Sequence, residues 1–230
     1  MIAALLCSAC LVAGSVNPVF ADASKVVTLG ADLTDAQKQT MMKYFNVSSD
    51  QVQVMTITNE DEHKHLDNIA PQSQIGSRTL SCAYVKPTQS GGIKVRTANL
   101  NWVTGNMIAT TLSTSGVKNC EVVAACPMEV SGTGALTGIQ MAYEKASGEK
   151  LDETKTKLAN EEIVTTGELA DKVGKNEATT VVNQSKIDVI QNNVQNTQEI
   201  QNIVVNVAQE NNVSVSQEEI DKIVYLLEKI

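Results

Sequence analysis

Aromatic side chains are scarce in this chain, 3% of 230 residues, with Trp102 the sole tryptophan. Sugar-binding clefts and single-stranded nucleic-acid platforms stack their ligands on aromatic faces, so both lose weight. Positive charge is short too: 18 Lys and Arg face 26 Asp and Glu, a formal net charge of −8. Phosphate backbones and anionic lipid surfaces repel such a protein, which excludes nucleic acid as an expected partner. Arg78 and Arg96 are the only arginines, so a bidentate grip on a carboxylate or phosphate must use them. His63 and His65 are the only histidines, and any Ser-His or Cys-His catalysis must draw on that pair.

The N-terminus supplies the clearest positive signal. Residues 1–16 are apolar, Asn17-Pro18 break a helix, and Val19-Phe20-Ala21-Asp22-Ala23 puts small residues at alternate positions. Signal peptidase accepts only small side chains at the −1 and −3 positions, so residues 1–23 read as a signal peptide cleaved after Ala21 or Ala23. The expected location is secreted or envelope-associated. No Lys or Arg precedes the apolar core, a departure from an ordinary leader. The run is shorter than the roughly 20 residues a membrane span needs, so no stable transmembrane segment is expected after cleavage. The stretch before Cys7 or Cys10 is too short for a lipoprotein signal. An apolar content of 42% and a mean hydropathy of −0.10 fit a folded remainder.

Three cysteines follow the leader: Cys82, Cys120 and Cys126. Cys120 and Cys126 fall in one extended run about 20 Å apart, too far for a bond between them. A disulfide would join Cys82 to one of the other two, and three buried thiols are the alternative.

Hydrophobic periodicity gives a mixed α/β class, with a mixed sheet and flanking helices in the N-terminal part and an all-helical C-terminal region. Residues 24–150 form the α/β domain, 151–176 a charged helical linker, and 177–230 an Asn/Gln-rich amphipathic helical region. Within the first, 25–29 and 51–58 read as strands. Thr34 and Gln37 make a capping box before Met41, Met42 and Phe45. Asn59 opens a short acidic helix ending at Leu66, and 67–77 reads as loop. Residues 79–86 and 93–103 predict a hairpin across Pro87 to Gly92. Thr104 caps a helix carrying Met107, Ile108 and Leu112, with Gly116 beyond its end. The run from Val122 to Cys126 predicts a strand buried on both faces and ended by Pro127. A helix then presents Leu136, Ile139, Tyr143 and Ala146, closed by Gly148. Residues 150–160 read as helix or linker, and 161–173 as a short helix. Further on, Ile187, Ile190 and Val194, then Ile200, Ile203 and Val207, mark apolar faces interrupted near Asn196. Ser216 and Glu219 form a capping box before Ile220, Ile223, Val224 and Leu227.

Three stretches carry a resemblance: Val27-Thr28-Leu29-Gly30-Ala31-Asp32-Leu33-Thr34-Asp35, Gln74-Ile75-Gly76-Ser77-Arg78, and Glu129-Val130-Ser131-Gly132-Thr133-Gly134-Ala135-Leu136-Thr137-Gly138. They resemble the YpuA-like family of predicted secreted proteins of unknown function from Gram-positive bacteria, from about residue 24 to the C-terminus. The resemblance implies an extracytoplasmic address and brings no catalytic residues.

Chemistry is thinly signalled. His63-Lys64-His65 diverge by about 200° on a helix, which suits a solvated turn better than a zinc pair. Ser131-Gly132-Thr133-Gly134-Ala135 lie between a strand and a helix and could offer backbone N–H groups to a small anion. The P-loop and dinucleotide glycine patterns are absent, and a tight turn with an ordinary N-cap accounts for these residues. Glu60, Asp61 and Glu62 lack the spacing of a calcium loop and suit a helix N-terminus. No catalytic, cofactor-binding or metal residue is assigned, and no cofactor is expected. The expected function is non-enzymatic binding of a protein or envelope component through the C-terminal helices. The alternatives are a hydrolase of envelope material and a small-anion-binding module.

Overall fold

A computed structural model describes residues 25–230, so the signal-peptide expectation at 1–23 lies outside the described residues. Five strands form one mixed sheet: β1 (Val26–Gly30), β2 (Gln53–Ile57), β3 (Cys82–Pro87), β4 (Ile93–Leu100) and β5 (Cys120–Val130), in the order β2-β1-β3-β5-β4. β1 runs parallel to β2 and antiparallel to β3, while β5 runs antiparallel to β3 and parallel to β4.

The expected hairpin between β3 and β4 does not form, because β5 lies between them. The apolar run of β5 has to be covered on both faces, which the sheet interior provides and an edge does not. β4 alternates half-buried with exposed residues and takes the edge. The connection from Pro87 to Gly92 crosses two strand spacings, about 10 Å. It is tied to Asn119 just ahead of β5, which bonds the Thr88 amide at 3.2 Å and the Gly92 amide at 2.9 Å. Nor does Pro127 end β5. Its register with β4 shifts between Ala98 and Leu100, and a proline without an N–H fits that irregular stretch.

The sheet is covered on both faces. On one, α1 (Asp35–Tyr44), opened by the expected Thr34–Gln37 capping box, lays Met41 among Val27, Leu29, Cys82 and Ala125. On the other, α4 (Gly105–Thr114) and α5 (Thr133–Ser147) pack Ile108, Leu112, Leu136 and Ile139 against Val26, Ala83, Val85 and Val122. α5 lies close enough to the sheet that a Cβ on Gly138 would sit 2.6 Å from the Thr28 hydroxyl. α2 (Asn59–Leu66) and α3 (Gln72–Ile75), a single turn where a loop was expected, add Leu66 and Ile75 to this core.

The C-terminal part is helical throughout: α6 (Glu153–Val173), α7 (Lys175–Gln191), α8 (Thr197–Glu210) and α9 (Gln217–Leu227). α6 is one continuous helix, its first half packing on the sheet core through Ile163 and Val164 and its second half on the helical core through Leu169 and Ala170. The predicted interruption near Asn196 is real: that side chain caps α8 by accepting from Gln198 N and Glu199 N at 2.9 and 3.2 Å. The predicted face of α7 is wrong. Ala178, Val182, Ser185 and Val189 are buried, whereas Ile187 and Ile190 are 41% and 56% exposed. Small residues let α7 lie close to α6, and close approach decides the face. Among the described residues, no helix is long and apolar enough to cross a membrane.

Two contacts lock the sheet part to the helices. Trp102 packs on Gly167 of α6, where a Cβ would lie 2.5 Å from its ring. Lys186 of α7 meets Glu162 of α6 at 2.5 Å and Thr114 of α4 at 3.1 Å, all three sealed from most solvent.

Candidate functional site

The acidic triplet of α2 is divided among three tasks. The cap lies one residue earlier than expected, at Thr58, and Asp61 completes its capping box at 2.9 Å from Thr58 N. Burial pushes the Asp61 carboxyl up, but the bonds from Thr58 outweigh it and hold it low. Glu60 pairs with Lys64 at 2.8 Å, and Glu62 turns inward with 1% exposure. The histidines also part. His63 Nδ1 meets Asp67 at 2.6 Å, while His65 Nδ1 donates to the Asp61 carbonyl at 2.8 Å. Among the described residues no group of three or more His, Cys, Asp or Glu side chains is placed to hold a metal ion.

Glu62 reaches the stretch that the sequence suggested for an anion. Burial pushes its carboxyl up, opposed by the hydrogen bond from the Thr79 hydroxyl, and nearby Asp32 adds to the rise. Its Oε2 has no hydrogen-bond partner. α5 opens at Gly132 with φ 104° and no side-chain cap, a departure from the ordinary N-cap expected there. Ser131 and Thr133 both donate to the Gln74 carbonyl, at 2.8 and 3.2 Å. A Cβ on Gly134 would sit 2.9 Å from Glu62 Oε1, so the carboxylate fills the space against this helix end. The space an external anion would need there is already occupied. Arg78 and Arg96 are both exposed.

All three thiols are free and buried. Burial pushes Cys82 and Cys120 up to about 12 and raises Cys126 as well. Thiols so strongly protonated make poor nucleophiles.

What the fold assembles instead is a cleft of about 740 Å³ between α2, α5 and α6. Its wall rests on a chain of amides: Gln140 Nε2 donates to Asn160 Oδ1 at 2.7 Å, and Asn160 Nδ2 donates to the His65 carbonyl at 3.1 Å. Gln140 is 2% exposed, and its Oε1 has no partner, nor does the buried hydroxyl of Thr156 one turn before Asn160. Leu151, Met141 and Ile69 supply apolar surface, and the rim carries both signs of charge. Of the residues noted from the sequence, only Lys64 and His65 line this cleft. Gln140 had left a signal: it is a polar residue one turn after Leu136 on the inward face of an otherwise apolar helix. Asn160, Glu153 and Lys157 left none, because their stretch is charged throughout.

Residues 29–230 match the family described as "Protein of unknown function (DUF1002)". Over 207 residues the chain is 37% identical to "Uncharacterized protein YpuA" of Bacillus subtilis (strain 168), an alignment covering 89% of this chain and 71% of that protein. No solved structure matches. A family match over nearly the whole of the described fold, with a relative at this identity, places the chain in the DUF1002 family, among YpuA-like proteins of unknown function.

Proposed function

We propose that this is an extracytoplasmic, non-catalytic binding protein that holds a small component of the cell envelope or its surroundings in the cleft between α2, α5 and α6. The cleft carries the reading. At about 740 Å³ it falls within the size range of small-molecule sites, and three helices of the same core frame it. The address rests on the leader-like pattern of residues 1–23. The non-catalytic reading draws support from His63, engaged with Asp67, and from the suppressed acidity of the buried thiols. Neither serine nor cysteine lines the cleft beside His65.

The test combines address and occupancy. Expressed at full length in the producing bacterium, the protein is expected outside the cytoplasmic membrane with a new N-terminus at Asp22 or Ser24. The purified protein should gain thermal stability from a small-molecule extract of the envelope. Met141→Trp, which fills the cleft, should abolish that gain. Retention in the cytoplasm overturns the address, and equal stabilisation of both proteins overturns the site. Hydrolysis of envelope material that disappears in His65→Gln would favour an enzyme instead.

A further inference from the structure

α1 packs on the face of the sheet turned away from α5 and the cleft. Five strands span about 19 Å and a helix with its side chains is about 10–12 Å across, so α1 covers only part of that face. The remainder is built from cross-strand rows. Tyr84, Val123 and Arg96 lie in register on β3, β5 and β4, and Lys86, Glu121 and Lys94 form the next row. Their strand neighbours Val85, Val122 and Val95 belong to the core on the α5 side, so alternation turns all six residues toward the α1 side. Lys94 and Arg96 are exposed, while Tyr84 and Val123 are half-buried. Glu121 is the one carboxylate of the two rows; it pairs with Lys86 at 3.5 Å and stands directly across from Lys94 as well. Three cations thus share one carboxylate, on a protein whose net charge is −8. Next to Tyr84 the rings of Phe45 and Tyr44 continue the surface, with centroids 6.4 and 5.8 Å apart in turn. The chain is poor in aromatic residues, yet folding gathers three of the six described ones here, and Tyr44 is 54% exposed.

We infer that this open sheet face is a second binding surface, separate from the cleft, and that it takes an acidic polysaccharide built of uronic-acid units. Charge complementarity carries the assignment: the surplus of positive charge is local, and it sits beside aromatic rings. Each unit of such a polymer combines a sugar ring, whose C–H face stacks on an aromatic side chain, with one carboxylate. Arg96 offers that carboxylate a planar fork, and Lys94 a point charge one step along the same strand. A neutral glycan leaves the surplus cations unused. A polyol phosphate chain brings charge without rings, and an acidic peptide brings carboxylates without a C–H face to stack. Tyr84 and Arg96 are two strand spacings apart, about 10 Å, and the aromatic side runs on to Tyr44, an extent that suits a chain of several units.

Calorimetric titration at low ionic strength with tetragalacturonate, its full methyl ester, and end-capped tetra-L-glutamate tests the assignment. The uronate tetramer should bind roughly tenfold or more tightly than the ester, the difference a charge-assisted contact makes, and more tightly than the peptide of equal charge. Lys94, Arg96 and Tyr44 are exposed, so Lys94→Gln, Arg96→Gln and Tyr44→Ala should keep the melting temperature of the parent. Each of the two cation variants should weaken tetragalacturonate binding several-fold and leave the ester unaffected. Tyr44→Ala should weaken the uronate and not the peptide. Met141→Trp, which fills the cleft, should leave uronate binding unchanged. Absence of uronate binding, equal binding of the ester, or unaltered affinity in Arg96→Gln and Lys94→Gln would overturn the proposal. Peptide binding as tight as that of the uronate would overturn the sugar and point to an acidic protein partner instead. Uronate binding lost in Met141→Trp and kept in Arg96→Gln would place the ligand in the cleft and overturn the second surface.

Discussion

At the end of the sheet Glu62 is buried at 1% exposure with no cation beside it, whereas between the helices Glu162, at 2%, meets Lys186 at 2.5 Å. The two carboxylates are equally hidden and are accommodated differently. Glu62 has hydroxyls for company and a carboxyl pushed up by burial, a group that folding drives toward its neutral form. Glu162 keeps a counter-ion and a hydroxyl from α7 and α4, so its charge holds three helices in register. At the start of α5 hydroxyls surround a carboxyl that has no counter-ion. A junction of helices uses a pair that fits only one arrangement.

The largest effect should come from breaking the pair. Lys186→Met leaves Glu162 buried without a cation and is expected to cost about 3–5 kcal/mol in urea unfolding. The double change Lys186→Met with Glu162→Leu should recover most of that loss. If it does not, the pair contributes more than mutual compensation.

Next in size is Gly167→Ala at the same junction. The added methyl group meets the Trp102 ring, and overpacking of this kind costs roughly 1–3 kcal/mol. Because Trp102 is the sole tryptophan, its fluorescence reports the junction directly. An unchanged emission maximum and unchanged stability would mean that the ring is free to move aside.

The smallest effect, and of opposite sign, should be Glu62→Gln. The folded protein holds this proton to higher pH than the unfolded chain does, so folding takes up a proton between the ordinary glutamate value, about 4.3, and the raised one. Stability from this group is therefore complete below that window and lost as pH rises through it. Above the window Glu62→Gln should be more stable than the parent, by less than either loss above, with the difference gone near pH 4. A variant less stable at every pH would show that the ionised carboxylate is supported, which would remove the contrast with Glu162.

Much of the local structure was legible. The capping boxes at Thr34–Gln37 and Ser216–Glu219 and the cap at Thr104 stand where the residues place them, because each depends on atoms three residues apart. The junction at Asn196 was legible from the break in apolar spacing between Val194 and Ile200. The hairpin was not: a glycine-rich connection between two extended runs fits both a direct pairing and a crossing with a third strand inserted, and β5 settles the choice from 20 residues further on. The face of α7 was misread because apolar size was weighed, whereas the packing against α6 selected small residues. The cleft could not be seen, since Gln140, Asn160 and His65 come from three separate helices and meet only after folding.

By itself the sequence determined the helix boundaries set by caps, the central place of the Val122 to Cys126 run, the acidic balance and the family, all properties of neighbouring residues or of composition. Tertiary structure alone decided the strand order, the burial of Glu62 against α5, the Lys186–Glu162 pair and the cleft. The physical reason is separation: Thr79 reaches Glu62 across 17 positions, Lys186 reaches Glu162 across 24, and Asn160 reaches His65 across 95. Such contacts follow from how whole elements pack, which no local pattern encodes.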